Sequence, residues 1–118
     1  MKAPIIADNR GDLHVFESVD QAERYIEPID VKNNEWTIYD SEGRSVEAVI
    51  TRRWGFPERV VLTARDQIPR HSNELRSRLI TFLTRIGKVH DGLAELPLER
   101  LIEEARSSYV KRGSGDEI

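Results

Sequence analysis

The sequence predicts an α+β fold: one domain built on an antiparallel sheet of about four to five strands, with a short helix after the second strand and two helices toward the C-terminal end. Three observations predict it. The 118 residues suit one domain and leave no room for two. Short apolar runs, separated by turn residues, fill the chain as far as Ala64. Beyond His71 the apolar residues recur at helical spacing instead.

Pro4-Ile5-Ile6-Ala7 and Leu13-His14-Val15-Phe16 flank the turn-rich Asp8-Asn9-Arg10-Gly11-Asp12 and read as a hairpin. Ser18-Val19-Asp20-Gln21 is a capping box, in which the hydroxyl takes an orphan helix N–H and Gln21 reaches back. Val19, Ala22, Tyr25 and Ile26 form the apolar face of the helix that follows. Pro28 ends that helix, since the residue before a proline avoids helical angles, so Glu27-Pro28-Ile29-Asp30 is expected to be a turn. A second hairpin joins Trp36–Tyr39 to a return strand over 44–53 through Asp40-Ser41-Glu42-Gly43, with Gly43 suited to a positive φ. Trp36 and Ile38 share one face of it, and Trp36 is expected in the core. After the aromatic-bearing break Trp54-Gly55-Phe56-Pro57, the β-branched run Arg59–Ala64 reads as a strand at the centre of the sheet.

Ser72 is the expected N-cap of a helix whose stripe is Leu75, Leu79, Phe82, Leu83 and Ile86, ending at Gly87. A last helix starts near Pro97, with Leu98, Leu101, Ile102, Ala105 and Tyr109 on its apolar face. The domain is expected to span residues 1–112, and 113–118 to form a flexible tail.

Composition narrows the function classes. With no cysteine, disulfides and thiolate metal sites are excluded and a reducing compartment is the natural home. The N-terminal apolar stretch is too short for a signal peptide, and no run approaches the roughly 20 residues that span a bilayer. The expected location is therefore the cytoplasm, away from membranes. The net charge of −3 conceals an asymmetry: residues 1–50 carry 11 acids and 5 bases, whereas 52–88 carry 9 bases and 3 acids.

Chemistry-bearing motifs do not emerge. His14, His71 and His90 lack the spacing of a metal-binding pair, and no glycine-rich phosphate loop is present. Ser18 is accounted for by capping. Carboxylate pairs such as Glu103-Glu104 read as solvated faces before they read as acid–base catalysts. The expectation is a binding protein, not an enzyme, with no catalytic residue, metal or cofactor. Two surfaces compete for the binding role. Arg52, Arg53 and Trp54, with Arg76, Arg78 and Arg85 of the first long helix, make a basic patch with an aromatic, the alternative of a small nucleic-acid-associated or regulatory module. A sequence pI near 5.6 argues against nucleic acid as the partner. The acidic stretch offers the other surface, a negative field for a basic protein.

Three runs carry a resemblance: Val15-Phe16-Glu17-Ser18, then Ala22-Glu23-Arg24-Tyr25-Ile26-Glu27-Pro28-Ile29-Asp30-Val31, then Tyr39-Asp40-Ser41-Glu42-Gly43-Arg44. The pattern of strand, capped helix, Glu-Pro-x-Asp turn and Tyr-Asp-x-Glu-Gly-Arg hairpin resembles small bacterial immunity proteins of polymorphic toxin systems, contact-dependent growth inhibition among them. It covers residues 12–45. The resemblance implies a cytoplasmic antidote that binds one cognate toxin domain stoichiometrically and covers its active site or substrate groove. Such families vary their contact surfaces, so the candidate contacts come from charge and exposure alone: Glu23, Glu27, Asp30, Tyr39, Asp40 and Glu42.

Overall fold

Ile5, Ile6 and Ala7 follow one another in the sequence and all three are fully buried. Successive strand residues point to opposite faces, so a strand with such a run must be covered on both. In the computed structural model, which describes residues 1–116 and side chains as far as Ser108, that strand is β1 (Ile5–Asn9). It pairs antiparallel with β2 (Asp12–Phe16) through the expected hairpin and, on its other side, with β3 (Trp36–Tyr39). β4 (Ser45–Thr51) and β5 (Arg59–Ala64) complete an antiparallel five-stranded sheet of order β2-β1-β3-β4-β5. The domain is α+β.

Helices lie on both faces. α3 (Ser72–Arg85) and α4 (Leu98–Asp116), joined through a single 3-10 turn at Leu93–Glu95, pack Leu75, Leu79, Phe82, Leu83, Leu101 and Ile102 against Ile6, Leu13, Val15 and Tyr39. α1 (Val19–Tyr25) and the one-turn α2 (Pro28–Lys32) cover the opposite face, where Ile5, Ala7, Phe16, Ile38, Val46, Val60 and Leu62 enclose Ala22 and Ile26. Of the helical stripes read from the sequence, Ala22 and Ile26, then Leu75, Leu79, Phe82 and Leu83, then Leu101, Ile102 and Ala105 are buried, whereas Tyr25 is exposed and the side chain of Tyr109 lies outside the described residues. No described helix is long and apolar enough to cross a membrane. The tail expected over 113–118 ends outside the described residues; α4 runs as far as Asp116.

Four local expectations need correction. β5 is an edge strand, not a central one. Of its residues only Val60 and Leu62 are buried, on the face toward α1, and composition cannot tell that one-sided burial from a central position. Glu27–Asp30 is not a plain turn, because Pro28 opens α2: its fixed φ suits the first helical position, where no N–H is needed. Ser72 is the first helical residue and His71 the cap; His71 donates its N–H to the Gly43 carbonyl at 2.9 Å, which ties the start of α3 to the β3–β4 turn. In the capping box Ser18 Oγ accepts from Gln21 N at 3.0 Å as expected, but Gln21 Oε1 takes the N–H of Glu17, one residue earlier than the standard pattern.

Candidate functional site, an acidic cleft with aromatic walls

The sheet register assembles the site. Asn9 stands opposite Asp12 on β2 and opposite Trp36 on β3; one row further along, Ala7 stands between His14 and Ile38. Ala7 contributes only a methyl group, so the larger rings of His14 and Trp36 close over it with centroids 5.4 Å apart, edge to face. Tyr25, at the end of α1, completes the group at 5.2 Å from His14 and 6.3 Å from Trp36. Phe16 stacks on His14 from behind. Pro28 then turns the chain into α2, which brings Glu27 and Asp30 to the same place.

The result is a cleft of about 480 Å³ lined by Asn9, Asp12, His14, Arg24, Tyr25, Glu27, Asp30 and Trp36. Tyr25 keeps 49 % of its surface exposed although it lies on the apolar stripe of α1. The Asp12 carboxylate holds His14 Nε2 at 3.1 Å. Arg24 reaches back to Asp20 at 3.1 Å along its own helix. Glu35 N–H donates to the Asp30 carbonyl at 3.0 Å, which sets the two acids side by side. Hydrogen bonding to Asp30, then burial, then Asp30's charge raise the Glu35 carboxyl above its ordinary value, while Arg10, 3.7 Å away, works in the opposite direction. Among the described residues neither Glu27 nor Asp30 makes an ion pair.

The six acid-and-aromatic candidates divide. Glu27 and Asp30 belong to the cleft. Glu23 lies outside it: its carboxylate accepts the Leu62 N–H at 2.7 Å, pinning α1 to the open edge of β5. Tyr39 is withdrawn from the surface altogether. It is 2 % exposed, on the face covered by α3, with the Arg78 guanidinium 5.7 Å from its ring centre. Burial, with the Glu74 carboxylate beside it, pushes its phenol up to about 12.

Asp40 is fully buried and structural. It accepts from the backbone N–H groups of Lys2, Glu42 and Arg44 at 3.1, 3.0 and 2.9 Å and from the Arg44 guanidinium at 3.1 Å. Burial alone would raise its carboxyl; the bonds from Arg44, Lys2 and Glu42 outweigh burial and hold it below the ordinary value. Glu42 sits at the same turn, half-buried, and pairs with Arg44 at 2.6 Å. The Asp-x-Glu-Gly-Arg run is therefore a turn whose two carboxylates are bonded largely from within it. Of the two carboxylates that charge counting read as a negative patch there, Asp40 is buried and both share the one Arg44 guanidinium.

The basic patch also comes apart. Arg76 donates to the Leu96 carbonyl, Arg78 pairs with buried Asp8, and Arg85 lies against Gly11. Only Arg52 and Arg53 remain at the β4–β5 loop, where Trp54 is 96 % exposed and Arg53 lies over the Phe56 ring at 5.6 Å.

Asp12, His14, Tyr25 and Trp36 were not among the sequence candidates. Their signal is parity: His14 falls on the opposite face of β2 from Leu13 and Val15, and Trp36 on the opposite face of β3 from Tyr39. Only the register places those faces together. Comparison with models of protein families, with curated proteins and with solved structures gives no match.

Proposed function

We propose that this chain is an immunity protein, which binds a cognate toxin domain and neutralises it by covering a positively charged active site or substrate groove. The cleft carries the reading. Two exposed or half-exposed carboxylates without a cation of their own, Glu27 and Asp30, border aromatic rings on a rigid sheet. Aromatic anchors inside a charged rim are what a tight protein interface requires. The segment that resembles immunity proteins, 12–45, supplies every cleft residue except Asn9. A nuclease toxin suits the charge, because a groove built for phosphate is positive. The place of action would be the cytoplasm.

The test is to mix the full chain with the toxin domain encoded immediately upstream. A one-to-one complex by light scattering and loss of the toxin's activity are expected. Free toxin activity at equimolar chain would refute the proposal.

One observation favours a second reading. Trp54, nearly free of protein contact and flanked by Arg52 and Arg53, matches the stacking platforms of single-stranded nucleic-acid binders. Salt-dependent retention of random single-stranded DNA or RNA, lost in Trp54→Ala, would favour that reading over the first.

A further inference from the structure

We infer that the cleft between β2, α1, α2 and β3 receives a single arginine side chain from the partner, its guanidinium laid against Tyr25 and Trp36 and bonded to Glu27 and Asp30. This rests on the reading of the chain as an inhibitor of a basic protein, and it names the group recognised.

The dimensions suit one long side chain. Small-ligand pockets run from roughly 300 to 1,000 Å³, and the cleft, at about 480 Å³, is near the lower end. Its walls are not parallel. The rings of Tyr25 and Trp36 meet at 81° and those of His14 and Trp36 at 65°, and all three residues line the cleft. Aromatic faces carry negative potential and attract cations.

The acids sharpen the choice. Asp12 is occupied by His14 and Arg24 by Asp20, which leaves Glu27 and Asp30 as the groups without a counter-charge. Asp30 instead has a second acid, Glu35, beside it. An incoming cation would supply Asp30 with the counter-charge that Glu35 has in Arg10, 3.7 Å from its carboxylate. An anion would add to the negative charge, and a purely apolar group would bury carboxylates unpaired.

Arginine fits better than lysine. A planar guanidinium stacks on an aromatic face and presents a fork to carboxylates at the same time, whereas an ammonium is a compact, strongly hydrated point charge. Arginine is also a group that a nuclease uses to hold phosphate. Sequestering one would block substrate and not merely crowd it.

The experiment follows indole N–H signals of the 15N-labelled full chain by NMR, with Trp54→Phe in the background so that Trp36 gives the one remaining signal. The probes are three capped tripeptides, Gly-Arg-Gly, Gly-Lys-Gly and Gly-citrulline-Gly. A saturable shift of the Trp36 signal is expected with the arginine peptide, several-fold weaker with lysine and absent with citrulline. The Glu27→Gln, Asp30→Asn double variant should weaken it at least about tenfold, a loss of ~1.4 kcal/mol, while the rest of the spectrum stays folded. No shift, or equal shifts with arginine and citrulline, would overturn the assignment. If the toxin is still bound and inhibited in that case, the arginine site alone is lost. If the peptide binds at Trp36 but no toxin is bound, the immunity reading falls and the arginine site stands.

Discussion

Asp40 is charged and yet wholly enclosed, a state that costs several kcal/mol per ion unless donors replace the lost water. Here backbone N–H groups from three residues and one guanidinium do so. Asp40→Ala strips the acceptors and leaves those donors buried, so equilibrium unfolding in urea should show a loss of about 3–5 kcal/mol; Asp40→Asn, which retains one acceptor oxygen, should lose less. The pH dependence has a definite sign. The folded carboxyl lies below 3.8, its ordinary value, so its stabilisation is complete above that pH and disappears as acid carries the pH down through the folded value. The stability gap between wild type and Asp40→Ala should stay constant between about pH 5 and 8 and narrow below 3.8. Three residues on, Gly43 has φ of +93°, and a Cβ there would stand 2.5 Å from Ser72 Cα and 2.6 Å from Ser72 N. Gly43→Ala therefore combines a left-handed backbone penalty with a backbone collision that no side-chain rotation relieves. A loss of roughly 2–5 kcal/mol is expected by the same urea titration.

Among the elements, α1 and β5 depend on each other. An edge strand offers unpaired N–H groups to any passing strand, and Glu23 occupies the one at Leu62. Glu23→Ala should destabilise by about 1–3 kcal/mol and speed hydrogen exchange of the Leu62 amide more than that of Val60; equal protection before and after the change would show that the carboxylate does not guard the edge. Most elements were legible because their signals are local: short apolar runs bounded by turn residues for β1 through β5, the Ser18 cap, the stripes of α3 and α4. α2 was not, because Pro28 both stops one helix and starts another, and a proline carries both signals alike. The edge position of β5 was not, because strand order is set by pairing partners far apart in sequence. The site suffered more. Charge counting found Glu27 and Asp30, but it also selected Asp40 and Glu42, whose partner Arg44 lies a few residues away, and Tyr39, whose burial depends on α3, more than 30 residues later. The aromatic half of the cleft needed the register of three strands.

At the scale of the whole molecule, helices on both faces hold the cleft walls in place from opposite sides. His14 and Trp36 belong to strands whose other face is packed against α3 and α4, while Tyr25 and Asp30 stand on the helices above. In the proposed complex such a surface would meet its partner already shaped, and little ordering cost would be charged against affinity. In that complex its field would steer encounter. Fields of this kind act over about 10 Å at 0.1 M salt, so their effect on association should fade as salt rises. The central claim is that the acidic, aromatic cleft is where a basic partner docks, and stopped-flow association of the full chain with the toxin domain encoded beside it tests this most directly. The account predicts that Glu27→Lys with Asp30→Lys slows association at least about tenfold at low ionic strength and much less at high salt, while Glu42→Lys, outside the cleft and at a carboxylate already paired with Arg44, leaves the rate much closer to that of wild type. Equal association rates for the wild type and the Glu27, Asp30 variant at low salt would contradict it.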